Sequence, residues 1–248
     1  NNAVHEIAAF AGAKVVVAQL PFPVESPEQV THSILAATSD KTRLALVDHI
    51  TSAPGHILPI EDIVPGLQQR GITVLVDGAH APGQVPLNLD QLGADFYVGN
   101  CHKWLCAPPG AAFLSVAPKW RDSVRALTTS HPYNDDTTEL PPLIKSFNWT
   151  GTRDYSAFFV LGETLTFLNS LAPGGIWEMV AANRELVRYG RQVVGDAIGV
   201  KPMLPDSMMG TMADIVLPPG EVMPLRKALR ERYNMVTQLL EWPQPGQR

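Results

Sequence analysis

The sequence predicts an α/β fold: a three-layer αβα arrangement on a mostly parallel sheet, followed by part of a smaller C-terminal α/β unit. Strand-like and helix-like segments alternate with short connections in the first half of the chain. The strand-like segments are apolar throughout, which is typical of a sheet covered on both faces. Hydrophobic residues make up 45% of the 248 residues, enough for a sizeable core. We place the larger domain in residues 1–170 and the smaller one in residues 171–248.

Local sequence patterns predict the strands and helices of the first half of the chain. Strands are predicted where β-branched and apolar residues run together and end at turn residues, in residues 14–18, 43–47, 72–76, 96–98 and 111–116. Helices are predicted in residues 1–11, 26–37, 60–69 and 89–92. Ser26, Pro27 and Gln29 have the spacing of a capping box at the start of the second helix. Pro65 predicts a distortion in the third.

The second half is less regular. Residues 128–148 are predicted to form a polar loop, and helices are predicted in residues 155–169, 176–198 and 224–233. Strands in residues 212–217 and 235–242 would complete the visible part of the smaller unit. Because the chain starts at Asn1 and its last residues, 241–248, follow a strand-like run, we expect a fragment of a longer protein.

Composition excludes several classes of protein. The net charge of −5, without a cluster of Lys and Arg, argues against nucleic acid as a partner. No apolar run is long enough for a transmembrane helix, so no membrane partner is expected. Two cysteines cannot build a disulfide framework, which indicates a cytoplasmic protein. Cys101, His102 and Cys106 are one ligand short of a structural zinc site, so no metal is predicted.

Polar residues follow three successive predicted strands, in residues 48–52, 77–80 and 100–103. Right-handed crossovers would bring these strand ends to one edge of the sheet, where α/β proteins bind ligands. The sequence therefore predicts a pocket with two carboxylates, three or four imidazoles and one lysine. The alternative is that polar residues simply resume where strands end.

Two residues of this edge point to specific chemistry. Lys103 follows an apolar strand, and partial desolvation there would free its amine as a nucleophile for a Schiff base. The alternative is a lysine whose stem packs on Trp104 while its head reaches water. Asp77 needs a cationic or hydrogen-bonding partner, and the protonated pyridine nitrogen of pyridoxal phosphate is one such partner. Its alternative role is to cap the following turn.

These residues belong to longer motifs. Residues 75–83 (LVDGAHAPG) and 93–105 (GADFYVGNCHKWL) resemble the class V aminotransferase family of fold-type I pyridoxal-phosphate enzymes. Residues 48–52 and 149–154 fit its isopenicillin N epimerase-like and cysteine desulfurase-like branch. The resemblance implies the large domain of a pyridoxal-phosphate-dependent transferase, with pyridoxal 5'-phosphate as cofactor and an amino acid as substrate.

The resemblance also implies roles for single residues. Lys103 would form the Schiff base with the cofactor and move the α-proton of the substrate. Asp77 would pair with the pyridine nitrogen, and His80 would lie near the phenolic oxygen. Asn100 and His102 match positions that contact the phosphate.

Two further positions concern the edges of the site. Ser52 stands where relatives often carry Asn beside the cofactor. Thr152 looks like the residue that reaches the phosphate of a neighbouring subunit, which implies a homodimer with shared active sites. The family's ring-stacking residue and substrate-carboxylate arginine would lie outside this chain, in an enzyme of roughly 400 residues. We therefore expect this piece alone to bind the cofactor weakly or not at all and to show no useful turnover.

The leading functional hypothesis is a pyridoxal-phosphate enzyme that acts on an amino acid, isopenicillin N epimerase-like. An epimerase needs a second acid or base opposite Lys103, and His80 is a poor candidate. A cysteine desulfurase or C–S lyase of the same family is the alternative, although Cys101 and Cys106 lie in what should be a rigid turn. An inactive homologue that serves as a binding or scaffold module belongs to another class. A nicotinamide-binding domain fits the sheet but lacks the glycine fingerprint.

Overall fold

The computed structural model describes residues 2–52 and 54–241. Its centre is a four-stranded sheet with the strand order β1-β2-β3-β4. The first three strands are parallel and the fourth pairs antiparallel with the third; their bounds are Leu44–Asp48, Thr73–Asp77, Phe96–Asn100 and Ala112–Val116. The predicted α/β fold with a mostly parallel sheet is confirmed.

Nine α-helices lie in the described part of the chain. Their bounds, α1 to α9, are Asn2–Phe10, Pro27–Ala36, Ile60–Gln68, Leu89–Leu92, Pro142–Asn148, Ser156–Phe159, Leu161–Ser170, Ile176–Ile198 and Val222–Tyr233. Short 3₁₀ turns occur at Pro118–Trp120, His131–Asn134 and Asp206–Met208. The bounds of α4 and α8 are those predicted from the sequence. Across residues 2–52 and 54–241, we find no helix with the length and apolarity needed to cross a bilayer.

The start of α2 follows the predicted cap with one difference. Ser26 Oγ accepts the Gln29 backbone N–H at 3.4 Å, as a capping box requires. The Gln29 side chain accepts the backbone N–H of Glu25 at 2.9 Å, one residue before the expected partner. Pro65 lies inside α3 without ending it.

Several predicted elements of the less regular regions are wrong. Residues 14–18 and 212–217 form no strand, and neither do residues 235–241; Trp242 and the rest of the tail lie outside the described residues. Val16 and Val17 are 62% and 64% exposed, so an apolar β-branched run without a pairing neighbour does not form a ladder. The predicted loop in residues 128–148 contains α5, which starts at a proline in the first helical position. The predicted helix of residues 155–169 is divided at Val160.

One face of the sheet forms the core. Side chains of this face pack against α2 and α3. The strands contribute Val47, Val74, Val76 and Tyr97, and the helices contribute Val30, Ile34, Ile63, Val64 and Leu67. Helix α3 connects β1 to β2 and α4 connects β2 to β3, and each new strand is added on the same side of the previous one. Right-handed crossovers of that kind place both helices on the same side of the sheet.

The opposite face, which we call the open face, is partly exposed in the described residues. Leu44, Leu46 and Leu114 are 58%, 42% and 37% exposed there. In the described residues, the helical layer of α2 and α3 lies on the other face. The sequential strand order accounts for this, since right-handed connections that add strands in one direction place their helices on one side of the sheet.

A late stretch of chain, residues 203–214, returns to the sheet and is called the return segment below. The Val24 N–H donates to Met203 O and the Ile57 N–H to Met208 O, both at 2.8 Å. Leu204 and Met208 are buried in the same core as the sheet. The division of the chain at residues 170 and 171 stays a prediction.

Candidate active site

The carboxyl ends of β1 and β2 place two carboxylates side by side. Asp48 and Asp77 are partners in the parallel register, so both side chains project from the open face. Asn100, at the end of β3, belongs to the same face because Val98 is the register partner of Asp77. Burial raises the pKa of Asp48, the Asp77 carboxylate adds to the rise, and Lys103 opposes it. The polar residues at the ends of β1, β2 and β3 therefore lie at one edge of the sheet, as predicted.

Lys103 contacts the turn that follows β2. Lys103 Nζ lies 3.0 Å from His80 Nε2, and the other ring nitrogen, Nδ1, accepts the indole N–H of Trp104 at 3.2 Å. All three side chains are half-buried. Burial lowers the pKa of His80, Lys103 lowers it further, and Asp77 acts in the opposite direction. The structure therefore brings Lys103, His80 and Asp77 into one group.

Asp77 also fills the alternative role considered for it. Its Oδ1 accepts the backbone N–H of Ala79 at 3.0 Å, which stabilises the turn leading to His80. Among the described residues, no further hydrogen bond reaches this carboxylate. The second oxygen can thus receive a proton donor from a bound molecule.

The loop that carries Lys103 is held by its own backbone. The Cys106 N–H donates to Lys103 O at 3.1 Å, and the Ala107 N–H donates to Cys101 O at 3.0 Å. Gly83 contacts this loop closely: a Cβ at this glycine would lie 2.6 Å from the backbone carbonyl of Trp104. Because φ at Gly83 is +86°, the position favours glycine on conformational grounds as well.

Two of the predicted imidazoles do not join this group. His49 is 4% exposed and its Nδ1 lies 2.8 Å from the Tyr97 hydroxyl, on the covered side of the sheet. Burial lowers the pKa of His49 to about 4. His102 donates from Nδ1 to the Ala111 carbonyl at 3.2 Å. Of the expected three or four imidazoles, only His80 is in hydrogen-bond contact with Lys103. His49 points to the other face because alternate residues of an extended chain point to opposite faces.

The two outer predicted residues, Ser52 and Thr152, are exposed. Within residues 2–52 and 54–241, no hydrogen bond joins either side chain to Lys103, His80 or Asp77. Thr152 belongs to a bend that Tyr155 stabilises, because the Tyr155 hydroxyl donates to Gly151 O at 3.0 Å. Its side chain is thus presented outward from an ordered segment.

The cysteines have separate environments. Cys101 is buried and burial raises the pKa of its thiol, whereas Cys106 is exposed. No group of three or more His, Cys, Asp or Glu suited to a metal ion occurs in the described part of the chain.

Sequence reasoning missed two participants. Trp104 was considered as a surface for the lysine stem, but its indole bonds to His80 instead. Gln84, which is 3% exposed, donates to His80 O at 2.9 Å and accepts from the Thr211 N–H at 3.0 Å. The available signal was the short spacing of Gln84 from His80 in a Pro-Gly turn, but its partner Thr211 is 127 residues away in sequence.

The group has the donor set that pyridoxal phosphate requires. An amine, an imidazole and a carboxylate lie at one sheet edge, and the carboxylate has an oxygen available for a protonated ring nitrogen. Lys103 Nζ contacts a ring nitrogen of His80, and among the described residues no ion pair with a carboxylate reaches its amine. The residues present therefore fit this cofactor.

The fold is shared with a solved aminotransferase and a solved cysteine desulfurase. An alanine–glyoxylate aminotransferase from Nostoc sp. superposes with a TM-score of 0.71 at 18% identity, over 99% of this chain and 65% of that one. An apo cysteine desulfurase from Thermococcus onnurineus NA1 gives a TM-score of 0.66 at 17% identity, over 92% and 56% of the two chains. At these identities the two likenesses show the fold of the chain.

The chain belongs to the class-V aminotransferase family, whose model matches residues 1–222. It is 34% identical to isopenicillin N epimerase from Streptomyces clavuligerus and 35% identical to a putative L-cysteine desulfhydrase from Oryza sativa subsp. japonica. The alignments cover 95% and 94% of this chain but only 61% and 50% of those relatives. The predicted resemblance is confirmed, and the family implies pyridoxal phosphate as the cofactor.

Proposed function

We propose that this chain provides the cofactor-holding part of a pyridoxal-phosphate enzyme that acts on an amino acid. The observation that carries the proposal is the contact of 3.0 Å between Lys103 Nζ and His80 Nε2, at the strand edge that also bears Asp77. Family membership supports the same cofactor. Bound pyridoxal phosphate supplies an electron sink for the pair of electrons released at the substrate α-carbon.

Each residue has a defined task in this proposal. Lys103 would hold the cofactor through its amine and would accept and return the α-proton at Nζ. Asp77 would keep the ring nitrogen protonated through its available oxygen, and His80 would orient Nζ. Asn100 and His102 would contact the phosphate, which fits the position of Asn100 at the strand end and the remaining ring nitrogen of His102.

The reaction type we place first is isopenicillin N epimerase-like, because such an enzyme is among the similar relatives over nearly the whole chain. Cleavage of a C–S bond is the second candidate, supported by the desulfhydrase relatives. Both begin with removal of the α-proton. Both ring nitrogens of His80 already have partners, so His80 is not suited to return a proton on the opposite face.

A desulfurase that passes sulfur to a cysteine of this chain is less well supported. Cys101 is 6% exposed, and the backbone of Cys106 is tied to Lys103 O in the left-handed region at a φ of 55°. A sulfur acceptor has to move between substrate and recipient, whereas Cys101 is buried and the backbone of Cys106 is hydrogen-bonded within its loop. A lyase that releases sulfur directly does not need such a cysteine.

We further propose a homodimer that shares its active sites and resides in the cytoplasm. The exposed Thr152 supports the dimer, since its segment is ordered by the stacking of Trp149 on Tyr155 at 5.3 Å and still points its side chain outward. Ser52 is exposed beside the end of β1 and would line the same site. Two cysteines that form no disulfide fit a reducing compartment.

The proposal is tested by trapping the cofactor on the chain. Excess pyridoxal phosphate followed by borohydride should add the mass of the reduced cofactor to the peptide containing Lys103. The variant Lys103→Ala should lose this adduct and the accompanying visible absorbance, because the amine that attacks the aldehyde is gone. The variant Lys41→Ala, an exposed lysine on a surface turn, is the matched control and should keep both.

An adduct spread over surface lysines, unchanged in Lys103→Ala, would contradict the assignment. A chain that stays colourless and unlabelled at Lys103 would favour a scaffold module. Circular dichroism of both variants checks that the fold is retained.

A further inference from the structure

The indole of Trp104 determines which nitrogen of His80 carries the proton. An indole N–H can donate but not accept, so the 3.2 Å contact requires His80 Nδ1 to be the acceptor. A neutral imidazole has one ring proton, which must then lie on Nε2. Both the imidazolium and the tautomer protonated at Nδ1 would place two donors face to face.

The proton on Nε2 constrains the lysine in turn. Nε2 lies 3.0 Å from Lys103 Nζ and can only donate in this tautomer. An ammonium group has three donors and no acceptor, whereas an uncharged amine offers a lone pair. We propose that Trp104 is a positioning residue that fixes the Nε2–H tautomer of His80 and thereby favours the uncharged, nucleophilic amine of Lys103. The use of this amine rests on the proposed function, but the tautomer does not.

The surrounding structure holds the three side chains in place. The backbone carbonyl of His80 accepts from Gln84 Nε2 at 2.9 Å. Gly83 brings the turn after β2 against the backbone of Trp104, where any side chain would collide with the carbonyl. Geometry of this kind keeps the indole and the imidazole in register without a contribution from a ligand.

The charged groups facing the amine act against this preference. The carboxylates of Asp48 and Asp77 lie on neighbouring strands and favour an ammonium by Coulomb attraction. Burial lowers the pKa of His80, which favours the neutral imidazole. The contact between His80 and Trp104 therefore favours an uncharged amine, against the effect of the two carboxylates.

The test measures the tautomer directly. Long-range ¹H–¹⁵N spectra of the chain labelled at its seven histidines, with His80 assigned by comparison with His80→Gln, should show His80 protonated at Nε2. In Trp104→Phe the preference for Nε2 should be lost. Trp177→Phe, which removes an indole that is 45% exposed on α8, is the control and should leave His80 unchanged.

A second measurement reports on the amine without any cofactor. The rate of acetylation of Lys103 by acetic anhydride, followed by peptide mass spectrometry, should rise with pH as the amine loses its proton. In Trp104→Phe the rate of acetylation at a given pH should fall, because the tautomer of His80 that pairs with an uncharged amine is no longer preferred. Trp177→Phe should keep the original profile.

A proton on Nδ1 of His80 in the unmodified chain would overturn the proposal, whatever the variants do. It would also be overturned if Trp104→Phe kept both the Nε2 signal and the original pH profile. Neither result depends on cofactor binding, so failure here is distinguishable from failure of the borohydride test.

Discussion

His49 shows that one step along an extended chain changes the face of the sheet to which a side chain points. It follows Asp48 directly, yet Asp48 projects from the open face while His49 contacts Tyr97 on the covered side. The two residues form part of one polar cluster in the sequence. The predicted cluster contains Asp48 and His49 together, but the two side chains point to opposite faces. The reason is that the alternation of an extended chain continues past the last strand residue.

The burial of His49 makes stability depend on pH. Its pKa is about 4 in the folded chain against about 6.5 when exposed, so the unfolded state binds the proton first as the pH falls. The stabilisation is complete above about pH 6.5 and is lost as the pH falls towards 4. Between pH 7 and pH 5 this residue should lower the free energy of unfolding by about 2 kcal/mol.

Urea unfolding of His49→Gln at these two pH values should show a correspondingly smaller difference. The exposed His32→Gln on α2 is the comparison and should retain the full dependence. Equal pH dependence in all three proteins would show that His49 is not buried as a neutral ring.

Asp95 could not have been singled out from the sequence. It precedes β3 as part of a Gly-Ala-Asp triplet and resembles an ordinary turn residue, but it is 1% exposed. Burial by itself would raise the pKa of Asp95, and the hydrogen bonds from Lys119, the Val74 N–H, Trp120 and Gln68 outweigh it and lower the pKa to about 2. Its four donors come from three separate stretches of chain, which only the folded arrangement brings together.

The elements next to the site were largely predictable, and their failures share a cause. The parallel strands and the long helix α8 were predicted because apolar runs and helical periodicity are local signals. Residues 14–18 and 212–217 carry the same strand signal but form none, since a strand also needs a partner with free ladder groups. The contact between Trp104 and His80 depends likewise on two loops meeting.

The contact between those loops depends on Gly83. In Gly83→Ala the new Cβ would meet the Trp104 carbonyl at 2.6 Å and would also strain a backbone with φ of +86°. Gly71→Ala is the matched control, because φ is +71° there and nothing lies within 4 Å. We expect Gly83→Ala to lower the free energy of unfolding by about 2 kcal/mol more than Gly71→Ala.

Chemical denaturation of the two variants measures this difference. If both lose the same stability, the strain of the backbone alone accounts for the effect and the close approach to Trp104 is not significant.

At the scale of the whole molecule, the return segment ties distant parts of the chain to the site. Gln84 accepts from both the N–H and the hydroxyl of Thr211, at 3.0 and 2.6 Å, and donates to His80 O. His56 Nε2 lies 3.2 Å from Asp214 Oδ1, which is a second contact with this segment. The turn that carries His80 is thereby connected to residues 203–214.

Removal of the Gln84 side chain should loosen the return segment. In Gln84→Ala, the amide of Thr211 loses its acceptor, and the free energy of unfolding should fall by about 2 kcal/mol. Hydrogen exchange in residues 203–214 should become faster, whereas Gln91→Ala, an exposed substitution on α4, should leave it unchanged. Unchanged exchange in Gln84→Ala would mean that the backbone contacts of Met203 and Met208 hold the segment by themselves.

The open face has a consequence for chemistry at the strand ends. Asp48, Asp77 and Asn100 project from the side of the sheet that α3 and α4 do not cover. A molecule bound at this edge would be in contact with bulk water unless further polypeptide packs against the open face. The crossovers hold the strand ends in register, so the exclusion of water from this edge would depend on what covers that face.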